Sequence, residues 1–301
     1  MKKAAVIHDL SGFGKCSLTA ALPILSVMGV QAVPLPTAIL SGQTGYGDYV
    51  CEDFTEPMAA ISRLWKRQGI QFDGIYSGFL LNEGQAEQLL DFIQDFSEEN
   101  TIVVVDPVLG DNGERYSVFS DQMELAVSRL AEKSHVITPN LTEALLLGRQ
   151  AKESLPDWKA VNLFARQEKL ELAEKLGKIL FSAYRLKGVV ITGIDMPRNS
   201  EEGSAQIGNF ILTEDGTSQW EVSLKTGGSY SGTGDILASI VTASLINGIS
   251  LPDSVRTAVE FIGQGIRDAA AAGTDRNDGI CFETYLWELG KEAAGSERHL
   301  Q

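Results

Sequence analysis

The sequence predicts a three-layer α/β fold, with a mainly parallel central sheet and helices on both faces. Three observations lead there. Short apolar runs alternate with longer helical patterns along most of the chain. The run in TIVVVDP is apolar at every position rather than every second one, which is the pattern of a strand buried on both faces. Two runs of alternating polarity, 205–212 and 218–224, read as a β-hairpin around Glu214-Asp215-Gly216, so antiparallel pairing is the exception.

In order, AAVIH at 4–8 reads as the first strand. A helix over about 17–28 and a second strand, VQAVPL at 30–35, follow. Met58, Ile61, Leu64 and Trp65 recur at helical spacing and predict a helix over 55–68. GIYSG at 74–78 is a strand, 83–96 a helix, and TIVVVDP a central strand that ends at Pro107. A helix over 120–132 precedes the short strand HVITP. LTEALLLG is a helix that Gly148 is expected to close. A helix over 166–182 then leads to the strand KGVVITG. After the hairpin come two apolar helices, 234–247 and 252–272. The stretch 149–163 is linker-like but too short to separate a pair of domains, so residues 1–301 are expected to form one domain. The stretch itself reads as a surface excursion, and the polar tail 291–301 as frayed. In such sheets ligands bind beyond the carboxyl ends of the strands. That rule points to the loops 9–16, 36–47, 106–116 and 226–235.

Bulk properties narrow the function. The charge is 25 − 40 = −15, which opposes a phosphate backbone and makes nucleic acid a poor partner. Cys16, Cys51 and Cys281 form neither a disulfide framework nor a CxxC zinc pattern. No stretch approaches the roughly 18 apolar residues that span a bilayer. MKKAAVIHDL is too short in its apolar run for a signal peptide, so a cytoplasmic location is expected and no membrane partner.

Two familiar signatures fail at 12–17. A P-loop would need Gly where Asp9 stands and Ser or Thr after Lys15, where Cys16 stands. A dinucleotide fingerprint would need Gly at Ser17. The three histidines, His8, His135 and His299, share no metal spacing and read as structural residues. No Gly-x-Ser-x-Gly elbow accompanies a triad.

TGGSYSGTGDILASIVTASLINGI at 226–249 carries more. A glycine-rich loop runs directly into a helix, so the amides of Gly232, Thr233 and Gly234 would point out of a helix N-terminus and form an anion site. Asp235 stands beside it. On local sequence alone this carboxylate serves equally as a helix cap or as a base that takes the proton of an attacking alcohol. Anion hole plus base is a sufficient core for phosphoryl transfer, which needs positioning and charge neutralisation more than covalent chemistry.

With those residues in view, the chain resembles the vitamin-kinase branch of the ribokinase-like superfamily, and the pyridoxal and pyridoxamine kinases within it. GTGD at 232–235 resembles the superfamily signature. VDPVLGDNGERY at 105–116 resembles the DPVxGD segment, and TPNLTEALLLG at 138–148 the TPN-x-x-E motif. HDLSGFGKCSLTAALPIL at 8–25 and PLPTAILSGQTGYG at 34–47 look like substrate-side loops, and SGFLLN at 77–82 stands where relatives carry Ser-Gly-Tyr. The resemblance runs in order over about residues 4–285.

The resemblance implies a three-layer ribokinase-like sandwich that phosphorylates the 5-hydroxymethyl group of pyridoxal, pyridoxamine or pyridoxine. It implies ATP as co-substrate, Mg²⁺, and a monovalent cation such as K⁺. Asp235 would be the base and Gly232, Thr233 and Gly234 the anion hole. Asp106, Thr138 and Glu143 would lie at the metal. Asp111, Asn140, Thr192 and Gly193 would lie at the nucleotide, and Asp9, Thr44 and Phe79 at the substrate ring. The resemblance also implies a homodimer. Two departures from the pattern bear on the substrate. Asp9 replaces the serine of typical pyridoxal kinases and looks like the aspartate of hydroxymethylpyrimidine kinases, and Phe79 lacks a tyrosine hydroxyl. A pyrimidine substrate therefore stays open, as does a non-catalytic B6- or nucleotide-binding regulator. Asn140 and Glu143 also fit a helix capping box, and Phe79 fits plain core packing. The fragment NGERYS reads as a flap, mobile at Gly113.

Overall fold

A computed structural model of the chain describes residues 1–116, 119–151, 154–197 and 205–291. Its strands are β1 (Lys3–Ser11), β2 (Gln31–Leu40), β3 (Cys51–Asp53), β4 (Gly74–Ser77), β5 (Ile102–Val105), β6 (Gly110–Asp111), β7 (Glu114–Arg115), β8 (Val136–Ile137), β9 (Gly188–Asp195), β10 (Gln206–Thr213) and β11 (Ser218–Leu224). Its helices are α1 (Ser17–Val27), α2 (Thr55–Arg67), α3 (Glu83–Phe96), α4 (Asp121–Ala131), α5 (Leu141–Gln150), α6 (Arg166–Tyr184), α7 (Thr233–Ile246) and α8 (Leu251–Ala272). The tail expected to fray lies, from residue 292 on, outside the described residues.

One sheet runs β11-β10-β9-β8-β5-β4-β1-β2-β3. The pairs from β9 through β2 are parallel, while β3, β10 and β11 pair antiparallel at the two edges. Side-chain alternation divides the core into two layers. Ala5, Ile7, Val103 and Val105 face α2 to α6, and Ala4, Val6 and Val104 face α1, α7 and α8. This is the three-layer sandwich that continuous apolar strands require.

Departures from the expected boundaries have local causes. β2 continues to Leu40 through Pro34 and Pro36. It pairs with β3 only at residues 38–40, so on that side the two prolines leave no donor missing from a ladder. Gly148 does not close α5, which runs on to Gln150. A Cβ on Gly148 would stand 2.5 Å from Leu155 Cδ1 and 3.2 Å from Leu176 Cδ2, so this glycine lets a surface segment and α6 approach the helix. The linker-like stretch folds back in the same way, with Val161 buried in a 3₁₀ turn, Trp158–Leu163, against α5. β6 and β7 form a small two-stranded flap apart from the main sheet.

Candidate active site

The carboxyl ends of β1, β4, β5 and β8 and the N-terminus of α7 converge. α7 starts because Gly232 adopts a left-handed conformation (φ 82°) as its N-cap. A Cβ there would fall on the Lys15 carbonyl oxygen, so glycine is required both by conformation and by the close passage of the loop before α1. Thr233, Gly234 and Asp235 occupy the first turn, where amides have no helical acceptor. Nothing lies within 3.9 Å of a Cβ placed on Gly234, where the nearest atom is Asp106 Oδ2. The amides of this first turn therefore begin the helix where the glycine-rich loop led one to expect, with open space before Gly234.

Asp235 does not cap its own helix. Its Oδ1 lies 3.0 Å from His8 Nε2, and its Oδ2 accepts a 2.8 Å hydrogen bond from the Ser17 amide. Ser17, a non-glycine residue at φ 53°, turns that amide toward the carboxylate. His8 in turn stands 2.8 Å from Asp9 Oδ1 through Nδ1, and Ser11 donates to Asp9 Oδ2 at 2.7 Å. Asp9 and His8 are almost wholly buried. Burial alone would lower the pKa of His8. The charge of Asp235 and its hydrogen bond, then Asp9, overcome this and raise it to about 10. Burial alone would raise Asp9, but the hydrogen bond and charge of His8 hold it below the usual carboxylate range. The two carboxylates thus favour the charged form of the ring. The amides of Asp9 and Phe79 are also aimed at Nδ1, at 3.0 and 3.4 Å, a bond that this nitrogen accepts only when it carries no proton.

Asp106 follows β5, and its Oδ1 accepts from Thr138 Oγ1 at 3.1 Å. Burial first, and the charge of Asp235 second, push its pKa up to about 7. Asn140 and Glu143 form the full capping box of α5: the Asn140 amide donates to Glu143 Oε2 and the Glu143 amide to Asn140 Oδ1. Glu143 Oε1 also accepts from the Leu109 amide, so both its oxygens hold backbone donors. Burial and Asp106 push this carboxyl well up. Asn140 Nδ2 donates to the Gly110 carbonyl and so ties α5 to the flap. Asp111 is capped by Asn112; burial raises its pKa, while Asn112 and, more weakly, Arg276 pull the other way.

The flap is more tightly held than a glycine at 113 suggests. The Gly113 amide donates to Thr142 Oγ1, and Asn162 Nδ2 donates to the Asn112 carbonyl at 2.5 Å. Thr192 forms a parallel bridge with Asn140, and Gly193 follows it at φ 75° with an open face. Phe79 is half-buried, tilted 5.8 Å from Phe119 and packed on the core. Its carbonyl accepts from Thr37 Oγ1. Thr44 is exposed on a short 3₁₀ turn, while its neighbour Gln43 is buried and accepts from the Gly45 amide.

The structure brings Asp235, the first-turn amides of α7, Asp106, Thr138, Asn140 and Glu143 together. The sequence did not reveal that His8 and Ser17 hold Asp235. The His8–Asp235 contact joins residues 227 apart, which no spacing rule reaches. Arg276, beyond the last matched motif, is equally unannounced.

Comparison with known proteins gives the family and the fold. The family model described as phosphomethylpyrimidine kinase matches residues 18–279. A candidate phosphomethylpyrimidine kinase of Bacteroides thetaiotaomicron, solved in a form with pyridoxal, is 37% identical, with a TM-score of 0.84 over 96% of this chain and 95% of that one. The pyridoxal kinase of Lactobacillus plantarum superimposes with a TM-score of 0.80 at 28% identity, covering 99% of each chain. The Dictyostelium discoideum pyridoxal kinase is 27% identical over 251 residues, 78% of this chain and 74% of that one. The chain belongs to the phosphomethylpyrimidine kinase family, in the vitamin-kinase branch of the ribokinase-like superfamily.

Proposed function

We propose that this chain is an ATP-dependent kinase that phosphorylates the 5-hydroxymethyl group of a B6 vitamer. The observation that carries the reading is the orientation of Asp235: its carboxylate turns away from the helix it begins and lies beside amides that have no helical acceptor. An alcohol placed there gives its proton to Asp235 as its oxygen forms a bond to the γ-phosphorus. The bond from that phosphorus to the β–γ bridging oxygen breaks, and ADP leaves with the electron pair. The amides of Thr233 and Gly234 hold the transferred group's oxygens, where charge must be stabilised. The pyridoxal-bound relative supports a pyridine ring as the acceptor. We place Phe79 and Thr44 at its rim and Asp9 beneath it. Asp111, Asn140, Thr192 and Gly193 take the nucleotide side.

The residues at Asp106 fit Mg²⁺. Among the described residues no group of three or more His, Cys, Asp or Glu forms a complete cage. Mg²⁺ does not need one, since it keeps waters and nucleotide phosphates as ligands. Asp106 would hold it, with Thr138 behind, and Glu143, its oxygens engaged by amides, would reach it through water. The ion would supply neutralisation of phosphate charge. We read residues 1–301 as one cytoplasmic kinase unit that pairs as a homodimer. No described helix is long and apolar enough to cross a membrane. Ile39, Tyr49 and Val50, exposed near the short edge strand β3, would suit a partner copy.

A second reading, hydroxymethylpyrimidine kinase, is favoured by the family description and by the acid at Asp9. A coupled ADP-release assay separates the two. Pyridoxal, pyridoxamine, pyridoxine and hydroxymethylpyrimidine are each offered with ATP and Mg²⁺, with K⁺ or Na⁺. A pyridine preference supports the B6 reading, and a pyrimidine preference replaces it with the second. Asp235→Asn is expected to lose roughly 10²- to 10⁴-fold in turnover. Near-wild-type turnover by that variant would refute the base role.

A further inference from the structure

His8 has no role in the reaction as described so far, yet it is the most strongly engaged side chain at the site. It ends the inner run of β1, is 2% exposed, and is the one described basic side chain in contact with Asp235. Its Nε2 and the Ser17 amide grip the two oxygens of Asp235 separately, at 3.0 and 2.8 Å. Two donors on two oxygens fix both the position of a carboxylate and its rotation about its own axis. Each oxygen keeps a free lone pair for the substrate hydroxyl. The ring is itself held: Asp9 Oδ1 fixes Nδ1, and Ser11 fixes the far oxygen of Asp9. Tyr76 packs edge-on against the imidazole, 6.1 Å between centroids. Gly78 closes the other side, where a Cβ would overlap the ring at Cδ2 and Nε2. An imidazole locked on all these sides is a rigid arm, and its free end points at the base.

We propose that His8 is a positioning residue of this kinase, which holds the Asp235 carboxylate at the mouth of the anion hole through Nε2 while Asp9 and Ser11 anchor its opposite edge. The inference rests on the kinase reading and deepens it. Phosphoryl transfer depends on alignment of the attacking oxygen, and an ångström of misplacement costs about 100-fold. Without the arm, Asp235 would keep only the Ser17 amide and would turn about that single bond. The arrangement also accounts for Gly78: its hydrogen leaves room for the imidazole face.

Two substitutions divide the ring's two contacts. Asn at position 8 places its amide nitrogen near that of Nδ1, which keeps the Asp9 bond and abandons Asp235. Gln places its amide nitrogen near that of Nε2 and keeps the bond to Asp235. Turnover of the preferred alcohol is measured for wild type, His8→Asn and His8→Gln, with urea midpoints for each. His8→Asn is expected to lose roughly 10- to 100-fold in kcat, with KM for ATP and for the alcohol within about threefold of wild type. His8→Gln is expected to recover most of that loss. A merely structural role would lower both variants alike, in step with their stability.

The pH profile gives a further readout. The charged or titratable groups that face His8 are Asp9 on its own strand and Asp235 from α7, with Tyr76 on β4, Asp106 after β5 and Cys16 before α1 around them. Wild-type kcat is expected to decline as pH approaches about 10, and His8→Gln to lack that limb. Should neither variant fold, the imidazole protons of the wild type decide by NMR. A slowly exchanging Nε2–H signal from His8 at pH 8, displaced in Asp235→Asn, supports the arm; its absence overturns it. Equal kcat in the two variants, or wild-type kcat in His8→Asn, overturns the inference while the kinase reading stands. A wild type that phosphorylates none of the four alcohols overturns both.

Discussion

A histidine between the buried Asp9 and the partly buried Asp235 makes this molecule's stability depend on pH in a predictable direction. The pKa of His8 rises from 6.5 to about 10 on folding. The folded state therefore binds a proton that the unfolded chain releases near neutrality, and stability falls as pH rises through that window. The contribution is complete below about 6.5 and lost as pH passes about 10. Urea midpoints of wild type are expected to drop between pH 7 and 10, and those of His8→Gln to drop less. Equal slopes would mean that the ring is not charged in the folded protein. Residues of this kind show how far the sequence could be read. Asp235 was legible because GTGD puts an acid in the first turn of a helix, and local geometry does the rest. His8 was not, because its chemistry comes from a residue 227 positions away. An isolated histidine at the end of a strand looks the same whether it is structural or functional.

At the scale of elements, glycines locate where one piece of backbone must pass close to another. Gly232 and Gly193 both have positive φ, 82° and 75°, but their surroundings differ. A Cβ on Gly232 meets the Lys15 carbonyl, a backbone atom that cannot turn aside, whereas Gly193 faces open space. Gly193→Ala is expected to cost about 1 kcal/mol, the conformational penalty alone. Gly232→Ala adds a displacement of the loop before α1 and is expected to cost roughly 3 kcal/mol or more, with a loss of turnover beyond what instability explains. Denaturation curves and kcat of the two variants test the contrast, and equal costs would show that the loop yields freely. The glycine that starts α7 was legible from its motif. The flap's attachment was not. It depends on Thr142 and Asn162, and Asn162 lies in the stretch that composition alone marks as linker-like. Polar composition records solvent contact, and it is silent about a single side-chain amide that bridges two loops.

Over the whole molecule, the sheet separates two apolar layers, and the site lies along one edge of both. Continuous apolar strands made the parallel sheet legible. The strand order was not, because β1 lies between β4 and β2 and nothing local to any of them specifies its neighbours. The edge strand β3 escaped for another reason: three exposed residues carry no periodicity. This division between frame and site predicts that damage within one layer need not reach the chemistry. Phe92 on α3 is a clear case. It is 1% exposed and packs on Phe96 at 4.3 Å and on Phe72 at 5.9 Å between ring centroids, in the layer of α2 to α6. None of its ring partners is a site residue. Its replacement by alanine removes a large buried ring and leaves a cavity, which is expected to cost about 3–5 kcal/mol in urea unfolding. His8, Asp235 and the first-turn amides of α7 stand on β1 and α7 beside the loop before α1, and Ala4, Val6 and the apolar face of α7 pack in the opposite layer. Turnover per folded molecule in Phe92→Ala is therefore expected to stay within about twofold of wild type under conditions where the variant is folded. A fall in kcat in proportion to the lost stability would mean that the two layers act as one unit, with the position of Asp235 set from across the sheet.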